Sequence, residues 1–442
     1  MDRKRKLDST IEEEEKGSLP LMDTITHEEI LAFILAIILA DDYKQLQENI
    51  ENGLIKDINM TISTYYPKSL LMEACNAGSV ECVKVLLANN ADVNYESDHN
   101  RTIVRTACAS GNIDIAKLIL SRAELDINSI YFTLYCHLFS PPSNVYLSTE
   151  IVKQLITRLP DVNRRVLGDY VLLNQAAYYG HLDVVRLLIE NGADPNVTDL
   201  EGCDALHEAS LNGRLDVINV LLESDSPHKI SIKSINNAFF ECCVGGYNDA
   251  VGYLLGKGAQ VNEADGFGCF GIDYAIRSNN IPLAKLLIKN GFDVNAMHVD
   301  RPVLVSACLQ KRAEIVQLLL DSGANPNVHY LDGSCLLLEL VQETCDNIVD
   351  HVTYITLLLD CEANVNIAHK HTGQTALMLA GAAASADLVK LLLEHGADVT
   401  QVNREGKSVL DMLGRTRSHA HLAELCRSFI DSNRVDSKTI LK

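Results

Sequence analysis

Tryptophan is absent from the 442 residues and proline occurs only ten times, so the chain is not a proline-rich, low-complexity coil. Its content, 47% apolar and 22% charged, is that of a soluble globular protein. Long apolar runs are also missing. The longest, ILAFILAIILA at residues 30–40, is eleven residues and as a helix reaches about 16 Å, roughly half of a bilayer core. It follows Glu28 and Glu29 and lacks a small-residue cleavage site before Asp41, so it does not read as a signal peptide either. Membrane insertion is not expected. Basic charge is scarce: 38 Lys and Arg stand against 59 Asp and Glu, a net charge of -21, of which residues 1–16 carry only -1. Such a field repels phosphate backbones, so no nucleic-acid partner is expected. The chain also lacks a GxxxxGK[ST] loop, a GxSxG elbow, HExxH and CxxC, so no residue supports an enzyme.

Thirteen cysteines are present, and without a secretory signal they indicate a reducing compartment. Cys75, Cys108, Cys243 and Cys308 fall where similar segments carry Ala177 or Ser210, which marks them as small buried side chains. Cys361, His369 and His371 lie close in sequence, and His419 and His421 form a second pair, but a zinc site needs four convergent ligands. Solvated loops account for them better. No metal and no cofactor is expected.

What the chain has in abundance is repetition. TALMLAGAAASADLVKLLLEHGADV, residues 375–399, is nearly rewritten as LLNQAAYYGHLDVVRLLIENGADPN at 172–196 and VLVSACLQKRAEIVQLLLDSGANPN at 303–327. Aligned on the residue that ends each tail, the copies stop at Asn59, Asn94, Asn128, Asn163, Asn196, Asn262, Asn295, Asn327, Asn366 and Thr400. The steps are 35, 34, 35, 33, 66, 33, 32, 39 and 34, and the 66 hides a degenerate copy that ends near Lys229. Eleven copies result, and a twelfth without a tail closes near Ile430.

Within Tyr170–Asn196, VLLNQAA forms a short helix that Tyr179-Gly180-His181 interrupts, glycine being free to turn left-handed. A second helix places Leu182, Val185, Leu188 and Ile189 on one face and Asp183, Arg186 and Glu190 on the other, until Gly192 ends it. Neither helix can bury its apolar stripe alone, so successive copies must stack, with leucine runs such as Leu391–Leu393 as the mortar.

A period near 33 with two short helices per unit resembles the ankyrin repeat family, over about nine-tenths of the chain. The family's TPLH opening is eroded; Asp204-Ala205-Leu206-His207 and Thr375-Ala376-Leu377-Met378 are its nearest survivals. The resemblance implies an all-α fold, an ankyrin-repeat solenoid of stacked helix-turn-helix units with projecting finger loops. It would occupy residues 25–430, between a charged tail at 1–24 and a C-terminal tail at 431–442. Two departures from the period stand out: the finger is nearly absent between Ile130 and Thr149, where SPPSNVY lengthens the loop between paired helices, and extra residues lie around 342–352.

The resemblance further implies a protein-binding scaffold or adaptor, cytoplasmic. Separately, the basic run Arg3, Lys4, Arg5 and Lys6 is a candidate nuclear import signal or simply a solubilising tail. The alternative is the substrate-receptor subunit of a ubiquitin ligase, which would need a docking element; residues 431–442 are too short to be a box of that kind. Similar repeats are hydroxylated on finger asparagines by the hydroxylase that also acts on hypoxia-inducible factors. Asn94 and Asn295, each eight residues after a leucine (Leu86, Leu287), match that preference. On alignment of the copies, Gln175, Glu208 and Glu241 share one inner-helix position and Tyr178, Leu211 and Val244 the next, an acidic rail beside an apolar floor. Tyr179 adjoins them, and Asp199, Glu201, Asp265 and Phe267 extend the patch onto fingers. Such a face is expected to bind a basic, partly apolar peptide or helix. The plain alternative for Tyr178 and Tyr179 is packing between repeats. Finally, the helix around Leu31–Leu39 is apolar on all sides, so either residues before Thr26 or a second chain is expected to cover it, with self-association as the consequence of exposure.

Overall fold

The computed structural model describes residues 26–62, 67–97, 101–139, 147–224, 227–298, 301–330, 332–345, 351–413 and 419–429. The tails at 1–24 and 431–442, including the Arg3–Lys6 cluster, lie outside these residues, as does 140–146. The chain divides into two compact units, one of 1–205 with 223–228 and the other of 206–222 with 229–442.

Each unit is a stack of helical pairs. In the first, the inner helices Leu70–Ala77, Ile103–Ala109, Ile127–Leu138 and Leu172–Tyr179 pack one on the next, and the outer helices Val80–Ala88, Ile113–Leu120, Thr149–Thr157 and Leu182–Glu190 do the same. In the second, the inner row includes Ile232–Gly245, Gly271–Ser278 and Val303–Leu309, and then Leu336–Cys345, which packs on Ala376–Ala382. The sequence pattern explains the pairing. Gly180, at φ 79°, caps the inner helix in the left-handed region, and the chain reverses at once into Leu182–Glu190, whose Val184, Val185 and Leu188 are buried while Asp183, Arg186 and Glu190 face out. Val184 thus joins the stripe, while Leu182 and Ile189 are only half-buried. Leu392 and Leu393 of the leucine run are buried as expected, whereas Leu391 is only half-buried.

Between tail and inner helix, fingers form two-residue antiparallel ladders: Glu96–Ser97 with Arg101–Thr102, Arg165–Val166 with Tyr170–Val171, and Met297–His298 with Arg301–Pro302. Other fingers close with a single bridge, as Thr61 with Ser69 and Ala368 with Thr375, and among the described residues two repeats have no finger. There the inner helix starts straight from the tail and grows to 12 residues (Ile127–Leu138) and 14 residues (Ile232–Gly245), against 7 or 8 in most others. The first omission matches the shortened finger in the sequence; the second lies in the degenerate copy. The added residues near 342–352 fall between Leu336–Cys345 and Val352–Asp360, with 346–350 outside the described residues.

Seven of the tail asparagines strap one repeat to the next. Oδ1 of Asn59, Asn94, Asn163, Asn262, Asn295, Asn327 and Asn366 accepts from a backbone N–H one tail later, at 2.7–2.8 Å. In five of them Nδ2 also donates to a carbonyl near the next tail, at 2.8–3.3 Å. Asn128 lies inside a helix and makes no such strap; instead the Tyr131 hydroxyl donates to the Asp161 carbonyl, and the Arg164 guanidinium lies 5.0 Å from the Tyr131 ring centroid. Asn366→Ala removes two such bonds at a half-buried site and should cost about 1–3 kcal/mol, read as a lower urea midpoint. An unchanged midpoint would show that the straps do not hold the stack.

Capping also passes between repeats. Asp41 accepts from the N–H of Cys82 (2.9 Å), so it caps the helix Val80–Ala88, whose own N-cap Ser79 instead donates to the Ile38 carbonyl. The helix His27–Leu39 is closed at its start by a Thr26–Glu29 capping box. It buries Ile34, Ile37 and Ile38, whereas Phe33 and Leu35 are half-buried and Leu39 is 63% exposed. Cys75, Cys108, Cys243 and Cys308 are fully buried, and burial pushes the thiols of Cys75, Cys108 and Cys308 up to about 12. No described helix is long and apolar enough to cross a membrane.

Candidate partner-binding face

In the first unit, the long inner helix Ile127–Leu138 places Tyr135 and, at its C-cap, Phe139 one turn apart on one side. They join a row of rings that crosses repeats: Tyr170 to Tyr135 at 5.1 Å, Tyr135 to Phe139 at 5.5 Å, Phe139 to Tyr179 at 5.6 Å, and Tyr179 edge-on to Tyr178 at 4.9 Å. Phe139 is 52% and Tyr170 38% exposed, and Tyr178 and Tyr179 are half-buried beside a half-buried Gln175. The tyrosines therefore pack between repeats and remain partly exposed. Burial first, then the neighbouring Tyr170 hydroxyl, pushes Tyr135 up to about 12, so it stays a neutral donor.

Tyr135, Phe139 and Tyr170 escaped the sequence reading. Their signal is the density of rings in YFTLYCHLF, 131–139, and the i,i+4 spacing of Tyr135 and Phe139. In the finger loops of the same unit, Asp199 Oδ1 accepts from the N–H of Glu201 (3.0 Å) and Cys203 (2.8 Å), so its charge is tied into the turn, while Glu201 is exposed. Where the finger is absent, a cleft of about 380 Å³ opens between the neighbouring fingers, lined by Tyr131, Phe132, Arg164, Arg165 and Leu167 among others.

The second unit carries the remaining expected residues. Glu208 and Glu241 are half-buried on inner helices; Leu211 (38%) and Val244 (55%) are exposed one turn further on. Tyr247 lies against Gly213 and Gly245, where any Cβ would fall inside its ring, and its hydroxyl donates to the Leu211 carbonyl at 3.5 Å. Phe267 projects from a finger, 90% exposed. Asp265 does not serve as free acidic surface: Oδ1 accepts from Phe267 N–H (2.8 Å) and Cys269 N–H (2.9 Å), and Oδ2 accepts from the Tyr274 hydroxyl. Burial pushes this carboxyl up, but those donors together hold it below the ordinary carboxylate range.

Other expected groups are placed as follows. His369 Nδ1 accepts from the N–H of His371 (3.2 Å) and Thr372 (3.3 Å), closing a finger turn, and Gln317 Nε2 donates to Cys361 Sγ at 3.7 Å. His419 is half-buried and His421 exposed. Asn94 and Asn295 are exposed, and both amides are occupied in straps.

Models of ankyrin repeats (3 copies) match residues 14–130, 238–330 and 345–436, and a model of ankyrin repeats (many copies) matches 173–222. An ankyrin repeat and KH domain-containing protein of Caenorhabditis briggsae is 30% identical over 129 residues, 28% of this chain and 5% of that protein. The mitochondrial disaggregase of Bos taurus is 31% identical over 140 residues, 31% of this chain and 20% of the disaggregase. Ankyrin repeat and SOCS box protein 6 of Homo sapiens is 31% identical over 148 residues, 30% of this chain and 33% of that protein. The chain thus spans well under half of the curated relatives it matches. Among solved structures, the human ASB11 ankyrin repeat domain is 22% identical, with 57% of this chain and 96% of that chain covered, at a TM-score of 0.32. The ankyrin repeat protein EF0377 is 26% identical, with 43% and 96% covered, at a TM-score of 0.36.

Proposed function

Because the chain belongs to the ankyrin repeat family, we propose that it is a non-enzymatic scaffold or adaptor that binds a protein partner through the solvent side of its inner helices. The observation that carries this reading is the row of partly exposed rings in the first unit, since aromatic groups held rigid at a surface are the usual anchors of an interface. Gln175, Tyr178 and Tyr179 belong to that face, with Asp199 and Glu201 on its fingers; Glu208, Leu211, Glu241, Val244, Asp265 and Phe267 form the corresponding face of the second unit. With Glu208 and Glu241 on it and a net charge of -21, the partner is a basic, partly apolar peptide or helix, met in the cytoplasm or, through Arg3–Lys6, in the nucleus. Capture from cell extract with the wild-type chain and with a face-altered chain tests this: a partner retained equally by both contradicts it. A second reading, substrate receptor of a ubiquitin ligase, is supported by the similarity to an ankyrin repeat and SOCS box protein, and would show as ligase subunits among the captured proteins.

The half-exposed face of His27–Leu39 offers a further surface, for a second copy of the chain. Deleting residues 1–24 should shift sedimentation from monomer toward dimer if those residues cover it. A deletion variant that stays monomeric at high concentration would count against any cover.

A further inference from the structure

The first unit holds a cavity of about 340 Å³ on the inner-helix side, lined by Arg101, Arg105, Thr133, Cys136 and His137 among others, and among the described residues no acidic one is in its wall. In a chain of net charge -21, that is an unusual place for two arginines. Arg101 is exposed on a finger strand, and Arg105, four residues on in the helix Ile103–Ala109, is half-buried with its guanidinium 5.9 Å from the Phe132 ring centroid. Among the described residues neither guanidinium has a carboxylate in ion-pair reach. From the next inner helix comes His137, 4% exposed, whose Nδ1 is shut from solvent and has no hydrogen-bond partner among the described residues. A buried polar atom left unsatisfied costs stability unless something meets it. The His181 ring lies tilted beside it, with centroids 5.4 Å apart.

We infer that this cavity is an oxyanion site for a phosphate monoester, held by Arg101 and Arg105. One carboxylate would be satisfied by a single guanidinium fork and would leave the second arginine unpaired. A phosphate group, with three terminal oxygens and a charge near -2 at neutral pH, matches two guanidinium groups. The inference does not rest on the partner-binding reading: none of these residues is among those named for that face.

The test is 31P NMR and calorimetric titration of the full chain with inorganic phosphate, with a phosphoserine tripeptide, and with acetate as the carboxylate control. Wild type should bind phosphate saturably. Arg101→Gln, at an exposed position that should not disturb folding, should weaken it about tenfold or more, and the Arg101→Gln, Arg105→Gln pair should abolish it. Arg186→Gln, on the outer helix, should leave it unchanged. Tighter binding of the tripeptide than of free phosphate would identify a phosphorylated polypeptide as the source of the group, and equal binding a free phosphate compound. Absence of saturable binding, equal binding by the arginine variants, or acetate binding as tightly as phosphate would overturn the assignment.

Discussion

Phe239→Ala should lower the stability of the chain by about 3–5 kcal/mol, among the largest losses any single truncation of this core can produce. Phe239 is fully buried in the 14-residue inner helix Ile232–Gly245, edge-on to Phe240 with centroids 5.2 Å apart. Its ring tip abuts the next repeat at Gly271, where an added Cβ would lie 2.9 Å from Cζ. The ring thus fills space that a side chain at 271 would otherwise take, and removing it leaves a cavity at a junction between repeats. Urea unfolding measures the loss. Gly271→Ala should also destabilise, and pairing it with Phe239→Leu should restore part of what it costs, because the two groups compete for the same volume. Phe267→Ala, at the 90% exposed finger position, should change stability by no more than about 0.5 kcal/mol. Equal effects of the two truncations would mean that repeats do not pack through Phe239.

The second large effect is on binding. A chain with Tyr178→Ala, Glu208→Lys and Glu241→Lys should keep wild-type helicity and melting temperature, because all three side chains are only half-buried, yet should lose its main partner. Truncating an anchoring ring typically costs 2 kcal/mol or more, about 30-fold in affinity, and two charge reversals add repulsion toward a basic ligand. Phe139→Ala alone should have an effect of the same order, since it removes the most exposed ring of the row. Wild-type affinity in both variants would place the partner elsewhere.

The repeat architecture was legible because its markers are local. A tail asparagine recurs nearly every 33 residues, and glycines at the helix ends need the left-handed conformation that Gly180 and Gly246 adopt. The strap made by those asparagines was not legible, because its partner is the backbone of the following tail, and backbone positions leave no letter in the sequence. The degenerate copy near Lys229 lost its tail asparagine, and with that marker gone its missing finger and its 14-residue helix stayed hidden. Alignment of copies also compares equivalent positions, whereas the ring row joins unequal ones: Tyr135 and Phe139 from a lengthened helix meet Tyr170 and Tyr179 of the next copy. Charges were read from the sequence as surface, but Asp199 and Asp265 are held by turn N–H groups, a use that depends on loop geometry.

Site-specific photo-cross-linking tests the central claim most directly. A photoreactive phenylalanine analogue at Phe139 or Tyr178, on the inner-helix side, is compared with the same analogue at Arg186, on the outer helix. Cross-links to the captured partner should form from Phe139 and Tyr178 and be absent from Arg186. Cross-links from Arg186 alone would contradict binding through the inner-helix face.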